Sequence, residues 1–519
     1  MHIALGLAIG IAVFTALGTA ALLAGDRRAR LTGLVLEAGM LACLGLAIAA
    51  LAQLVMSGPV TADMLVWQGL GLSLRLDAVS LPITILVAFV GWVVLRYSRT
   101  YLGDEPRRAW FQAWLSLTLS SVLMFALAGN LVQLVLFWIA TSLSLHRLLL
   151  FYPDRAAARR AARKKYITAR IADFALIGSA ALLFWVYGTG DIATILDAAR
   201  GGESGTALRF AVLGLALAAV IKSAQFPLHG WLTEVMEAPT PVSALLHAGV
   251  INAGGFLLIR FADVMLLSPA VMAGLVMVGG FTAMFGGLVM LTQPAVKTSL
   301  AWSTVAQMGF MIMQCGLALF PLAMLHIIAH SLYKAHSFLA SGGAVERIAA
   351  LRRPGPVAIP GARAVTGAFL AALAIYVAIG FAFRFQDTSP QSIALGAILI
   401  FGVAYLLAQG LAGAAPVALM RRMVAYSLTA SLGYFALHHA ADALLLGPLP
   451  MPPAPGPLEW VLIMLAVVSF GLVAIAQSMF PLWAYHPAAA GLRVHLSNGL
   501  YANALFDRLL GGWTLRRSR

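Results

Sequence analysis

The chain alternates long apolar stretches with short polar connections along nearly its whole length. A stretch of about 20 mostly apolar residues is long enough to cross a bilayer as a helix. There are fifteen such stretches, beginning near residues 3, 31, 77, 110, 131, 166, 207, 241, 269, 297, 320, 363, 393, 420 and 457. Because backbone groups in lipid must pair within their own segment, each stretch is predicted to be a helix. The predicted fold is all-α, a polytopic membrane bundle of about 15 spans.

Composition and charge support a membrane protein and give its orientation. Apolar residues make up 61% of the chain and charged residues 10%, which excludes a water-soluble enzyme and a disordered chain. The net charge is +15, and 25 of the 34 Lys and Arg residues fall in alternate connections and the C-terminal tail, against 5 in the others. The positive-inside rule then predicts an N-terminus outside and a C-terminus in the cytoplasm. Since orientation explains the basic excess, no nucleic-acid partner is expected.

Ionisable residues inside membrane spans are costly and are functional candidates for that reason. His326, His330 and Lys334 are spaced at i, i+4 and i+8, which places them on one helix face with a rise of about 6 Å per step. Three protonatable groups in a row can pass a proton, directly or through one water. Two other interpretations are that each histidine donates to a backbone carbonyl and only rigidifies packing, or that the pair binds zinc. No carboxylate or thiol joins them, which disfavours zinc.

Lys222 lies in another apolar stretch and is followed by Pro227 and Gly230. Proline removes a backbone donor and breaks a helix. A broken span beside a buried lysine is typical of an ion site at mid-membrane. The alternative is a simple kink, with the lysine extending to the membrane interface.

Three segments resemble one family of membrane proteins. They are IKSAQFPLHGWLTEVMEAPTPVSALLHAGVINAGGFLLIR (Ile221 to Arg260), AWSTVAQMGFM (Ala301 to Met311) and HSLYKAHSFLASG (His330 to Gly342). Their residues and order resemble the antiporter-like subunits of respiratory complex I and of Mrp cation/proton antiporters, over roughly residues 70 to 415. The resemblance implies two inverted five-helix repeats with broken helices. The expected organisation is N-terminal spans 1–3 in 1–109, the first repeat in 110–266, the second in 267–415, and C-terminal spans with a cytoplasmic tail in 416–519.

The resemblance also implies site residues, matched position by position. The implied ion-translocation set is Lys222, Asp173, Glu234, His247, His326, His330, Lys334 and Arg384. Lys222 matches the lysine of the first broken helix, and Arg384 falls where the second usually has a lysine, with Asp387 nearby. One position departs, because Ile139 stands where the family usually has a glutamate. Lys222 is then expected to use Asp173 or Glu234 as its counter-ion, or to stay neutral.

The chain also resembles the membrane subunits of the DAB inorganic-carbon accumulation complexes. This resemblance rests on Ile139, on the segment HLSNGLYANALFDRLLGG and on the modest length of the chain. This implies a protein of the bacterial inner membrane whose proton or sodium flux drives CO₂ hydration by a DabA-like soluble zinc protein on the cytoplasmic side. Zinc is expected in that partner, whereas no cofactor, metal site or catalytic site is expected in this chain. The alternatives are a proton- or sodium-translocating subunit of a complex I-like or Mrp-type complex, and a scaffold that conducts nothing.

Overall fold

The computed structural model describes residues 2–67, 70–103, 105–202, 205–343, 361–384, 388–411, 416–479, 483 and 486–509. Its regular structure is almost entirely helical. Each of the fifteen predicted spans coincides with helical structure, and eleven helical segments are long and apolar enough to cross a membrane. The all-α membrane bundle is therefore confirmed, whereas the count of fifteen spans stays a prediction.

The chain forms two compact units. The first comprises the described residues of Met1–Val271, His326–Gly342 and Ala502–Arg519, and the second those of Met272–Leu325 and Gly343–Tyr501. The helices that lie wholly in the first unit are α1 (His2–Ala24), α2 (Ala29–Ser57), α3 (Ser80–Tyr101), α4 (Arg108–Ala126), α5 (Leu131–Leu149), α6 (Ala156–Tyr187), α7 (Ile192–Ala199), α8 (Thr206–Lys222), α9 (Gly230–Glu234), α10 (Thr240–Ala248), α11 (Ala253–Arg260) and α12 (Ala262–Met265).

The remaining helices follow in chain order. They are α13 (Pro269–Met290), α14 (Val296–Gly316), α15 (Phe320–Ala340), α16 (Ala362–Ala382), α17 (Pro390–Gly410), α18 (Val417–Leu445), α19 (Pro457–Ser478), α20 (Ala490–Ser497) and α21 (Ala502–Leu509). Helix α15 contributes its residues from His326 onward to the first unit, and α21 also belongs to that unit. Close packing in the second unit depends on small residues, since a Cβ on Gly309 would lie 2.5 Å from the backbone nitrogen of Ala283.

A β-hairpin, which the apolar-stretch pattern did not predict, lies between α2 and α3. Strands β1 (Val60–Trp67) and β2 (Leu70–Leu76) pair antiparallel. The β2 sequence LGLSLRL alternates apolar and other residues with the period of a strand. Asn130, just before α5, donates to the Gly71 carbonyl and to Ser73 Oγ, both at 2.9 Å. These bonds hold the hairpin against the start of α5.

An ion pair between α11 and the start of α3, and a close approach of α6 and α8, hold helices of the first unit together. The Asp77 carboxylate accepts from the backbone of Val79 and Ser80 at the start of α3 and pairs with Arg260 of α11 at 2.6 Å. Helices α6 and α8 approach closely at Gly214, where a Cβ would lie 2.9 Å from the Ala175 carbonyl oxygen. This approach brings the helix that carries Asp173 beside the one that ends at Lys222.

Candidate ion-translocation site

The predicted break after Lys222 is present. Helix α8 ends at Lys222, Ala224 has a φ of 50°, and helix resumes only at Gly230. The following span is interrupted as well, because α10 ends at Ala248 and α11 begins at Ala253. Irregular backbone at membrane depth is tolerated where it is enclosed by protein. Two adjacent interruptions therefore place buried polar backbone beside the lysine.

Lys222 is buried, at 5% exposure, and its ammonium faces an aromatic ring. Nζ lies 4.3 Å from the ring centre of Trp138 on α5 and has no hydrogen-bond partner among the described residues. The Trp138 indole nitrogen donates to Asp173 Oδ1 at 2.9 Å. Asp173 also pairs with Arg170 at 2.6 Å, one turn earlier on α6. Of the two expected counter-ions, Asp173 is therefore linked to Lys222 through an indole.

Glu234, the other expected counter-ion, belongs to a different cluster. Its carboxylate pairs with Lys164 of α6 at 2.8 Å and accepts from Asn503 of α21. Lys164 also donates to Asn503 Oδ1 at 2.7 Å and pairs with Asp507. The structure thus uses Glu234 to join α6, α9 and α21 and does not place it against Lys222.

The histidine row of α15 meets α10. The His330 Nε2 lies 3.1 Å from the backbone carbonyl oxygen of His247, which accepts when that nitrogen is protonated. The His247 ring stacks on Phe338, with 4.4 Å between ring centres, and the His326 and His330 rings are 6.0 Å apart. Lys334, one turn on, is fully buried. His330 thus makes the backbone contact that a packing role predicts. Its ring also lies near that of a second titratable residue, His326.

A mostly apolar cavity lies between Lys222 and helix α15. Lys222 and Trp138 line it from one side, and Asn252 and Ser331 contribute its polar wall. The Asn252 amide donates to Ser331 Oγ at 2.9 Å and to the Ala248 carbonyl at 3.1 Å. Ser331 directly follows His330 in α15. The cavity therefore places the lysine of the broken helix and the histidine-bearing helix around one space.

Sequence reasoning missed Lys165. It lies in a basic run, Arg163 to Lys165, that reads as an orientation signal. In the structure Lys165 is 3% exposed, and its Nζ donates to the Ser142 carbonyl at 2.6 Å and to Ser142 Oγ at 3.1 Å. The available signal was the spacing of Lys165, Ala169 and Asp173, which puts all three on one face of α6.

Arg384 belongs to the second unit. It follows the end of α16 with a φ of 54°, and Asp387 lies outside the described residues. In the described ranges no group of three or more His, Cys, Asp or Glu side chains is arranged to hold a metal ion. The chemistry that the described residues support is proton or cation transfer between buried titratable groups.

Comparisons with known families agree with this architecture. The family profile described as "NADH:quinone oxidoreductase/Mrp antiporter, TM" matches residues 128–353. A second, described as "NADH-Ubiquinone oxidoreductase (complex I), chain 5 N-terminus", matches residues 69–112. Two solved structures share the fold. The Mrp complex of a Dietzia species has a TM-score of 0.67 at 23% identity, covering 98% of this chain and 59% of that one. Respiratory complex I of Thermus thermophilus has a TM-score of 0.56 at 17% identity, covering 96% and 99%.

Curated relatives narrow the family. "Probable inorganic carbon transporter subunit DabB" of Hydrogenovibrio crunogenus is 44% identical over 54% of this chain and 55% of its own length. The subunit named DabB2 of Halothiobacillus neapolitanus is 37% identical over 85% of this chain and 80% of its own. "NAD(P)H-quinone oxidoreductase chain 5" of Synechocystis is 34% identical over 59% and 47%. The alignment thus spans about half the length of the Hydrogenovibrio relative and most of DabB2. The chain belongs to the DabB family of inorganic carbon transporter subunits, within the antiporter-like membrane proteins of quinone oxidoreductases and Mrp complexes.

Proposed function

We propose that this chain is the ion-conducting membrane subunit of an inorganic-carbon uptake complex. Protons, or sodium ions, moving through it drive CO₂ hydration by a soluble, DabA-like zinc protein docked on its cytoplasmic side. The chain lies in a bacterial inner membrane with its N-terminus outside, as the distribution of Lys and Arg predicts. Family membership and the 37% identity to DabB2 support the assignment to carbon uptake.

The observation that carries the proposal is a set of buried ionisable and polar groups in the first unit. Asp173 contacts Trp138, Trp138 contacts Lys222, and Lys222 shares a cavity with Ser331, beside His330. A charged group costs about 2.5–3.5 kcal/mol at the centre of a bilayer on insertion scales, so a cluster of them serves function more often than packing. We assign ion translocation to Lys222, Asp173, Glu234, His247, His326, His330 and Lys334 in the first unit and to Arg384 in the second.

The energy available is sufficient for the proposed coupling. A unit charge crossing 100 mV releases about 2.3 kcal/mol. Since about 1.4 kcal/mol changes an equilibrium tenfold, one proton could bias CO₂ hydration by more than a factor of ten. The hydration chemistry itself belongs to the partner in this proposal, because zinc lowers the pKa of a bound water.

The second candidate is an ion-translocating subunit of a complex I-like or Mrp-type complex. The matched family profiles and the 34% identity to a quinone oxidoreductase chain favour it. Two observations count against it. Ile139 stands at the position where the resemblance to such subunits implies a glutamate. In addition, Lys222 faces the ring of Trp138 instead of a carboxylate. The two candidates predict different neighbouring genes, one for a DabA-like zinc protein and the other for quinone-linked or antiporter subunits.

Growth of a carbonic-anhydrase-deficient bacterium in ambient air tests the proposal. The strain would carry this chain together with the neighbouring partner gene, with a carbonic-anhydrase gene as the positive control. We expect growth with both genes, none without this chain, and none with Lys222→Ala or Lys334→Ala. Lys297→Ala, at a partly exposed lysine of the second unit, is the matched control. Growth that is unaffected by removing this chain contradicts the proposal. Growth with Lys222→Ala and also with Lys334→Ala indicates a scaffold that conducts no ions.

A further inference from the structure

We infer that Lys165 and Lys222 form one proton-binding pair, in which a proton passes between the two side-chain nitrogens on its way through the first unit. The inference rests on the proposed function, since it names a second proton carrier for the same translocation site. Lys165 is on α6 and Lys222 at the end of α8, and these helices pack closely around Gly214.

The two lysines line one small cavity, distinct from the one that Lys222 shares with Ser331. Its other lining residues are Leu145, Thr168, Ala169, Ile221, Trp231 and Val250. Both lysines are buried, at 3% and 5% exposure. Lys222 thus lines two cavities. Lys165 lines one of them, and Asn252 and Ser331 line the other. That position suits a group that receives a proton on one side and releases it on the other.

Charge balance around the pair disfavours two simultaneous positive charges. The charged and titratable groups that interact electrostatically with Lys165 are Lys222 from α8, Arg170 and Asp173 from α6, and His146 from α5. Asp173 is the one carboxylate among them, and Arg170 already pairs with it. Two ammonium groups in one cavity of low dielectric repel each other strongly. A single proton shared by the pair removes that repulsion.

The transfer step is balanced with one water in the shared cavity as the relay. One N–H bond of the Lys165 ammonium breaks as the water accepts that proton, the water gives up one of its own protons, and one N–H bond forms at the neutral Lys222 amine. The water is regenerated and the total charge stays the same. The Ser142 carbonyl and hydroxyl oxygens accept hydrogen bonds from Lys165 and hold its nitrogen in place. The competing explanation is purely structural, with Lys165 serving only as a tether between α5 and α6.

Arginine and methionine variants separate the two explanations. Lys165→Arg keeps the positive charge and donors for Ser142, but arginine does not release its proton in proteins. Lys165→Met removes the titratable group at similar length. We expect each variant to lower uptake of labelled inorganic carbon by about 100-fold in cells that contain the chain and its partner, as for loss of a proton-transfer group. In a Lys222→Met background, Lys165→Met is expected to lower uptake no further.

Membrane content and thermal unfolding in detergent show whether each variant folds, with Lys297→Ala as the control. Uptake at the wild-type level in Lys165→Arg establishes the tether and overturns the inference. If the Lys165→Arg variant does not fold, uptake at the wild-type level in Lys165→Met overturns the inference instead. Where the wild-type chain supports uptake and the Lys165 variants match it, only this inference fails. Where the wild-type chain supports none while the carbonic-anhydrase control grows, the proposed function fails and the inference fails with it.

Discussion

The ammonium of Lys222 lies over the indole ring of Trp138, 4.3 Å from the ring centre, while the edge of the same indole donates to the carboxylate of Asp173. One side chain therefore holds a cation on its face and an anion at its edge. A desolvated cation–π contact contributes about 2 kcal/mol. Trp138 thus positions both ionisable groups without a direct ion pair between them.

Trp138→Phe keeps an aromatic face for Lys222 and removes the donor to Asp173. A hydrogen bond to a charged group contributes about 1.5–3 kcal/mol, which corresponds to about tenfold or more. We expect inorganic-carbon uptake to fall by about that factor while the amount of protein in the membrane stays the same. Trp185→Phe, on the exposed face of α6 at 72% exposure, is the matched control. Equal uptake in the two variants would show that the indole N–H has no role in transport.

His330→Gln separates proton transfer from packing. Glutamine can donate to the His247 carbonyl, as His330 does when its Nε2 is protonated, but it does not titrate. We expect normal folding and a loss of uptake of about 100-fold, as for removal of a proton-transfer group. The control is His336→Gln, at an exposed position of the same helix. If His330→Gln transports like the wild-type chain, the contact to His247 only supports packing.

The sequence pattern predicted the helices well because bilayer thickness sets their length. Each long apolar run coincides with a helix, and the break after Lys222 follows from its neighbour Pro227. The pattern of 20-residue apolar runs does not predict the hairpin, because its strands are short and alternate with period two. Read at that period, the residues Leu70–Leu76 predict a strand.

The surroundings of the site were less predictable, because they depend on contacts between distant segments. Lys164 and Lys165 are adjacent in a basic run, which indicates orientation in a membrane protein. Their partners differ, however, since Lys164 contacts Asn503, 339 residues away, and Lys165 contacts Ser142. Glu234 was an expected counter-ion of Lys222 but pairs with Lys164. No local pattern distinguishes these pairings, because the packing of α6 against α5 and α9 decides them.

Gly230→Ala tests how α21 is held. Gly230 begins α9, and a Cβ there would overlap the side-chain amide of Asn503. Overpacking costs about 1–3 kcal/mol, so we expect the contact between α21 and α9 to open about tenfold more often. Limited proteolysis, with the cut sites mapped by mass spectrometry, would show faster cleavage near Asn503. Gly178→Ala, where nothing lies within 4 Å of the added Cβ, is the control. Equal cleavage rates would mean that Asn503 moves aside without releasing the helix.

Asp77→Ala tests the ion pair that ties α3 to α11. Asp77 and Arg260 are both buried, and their two contacts are 2.6 and 3.2 Å long. Removing one partner of a buried pair costs about 3–5 kcal/mol, because the other charge stays buried without compensation. We therefore expect a clearly lower thermal midpoint in detergent for Asp77→Ala, and little change for Asp63→Ala at an exposed position of β1.

The double variant Asp77→Leu with Arg260→Met isolates the cause of that destabilisation. Replacing both charges of a buried pair with apolar groups of similar volume is often neutral. Arg75, which also pairs with Asp77 at 2.6 Å, loses its partner in the single and the double variant alike. Recovery of most of the lost stability would assign the cost to the unpaired Arg260. A double variant as unstable as Asp77→Ala would assign it to the other contacts of Asp77, which are the backbone bonds that it accepts from Val79 and Ser80 and its ion pair with Arg75.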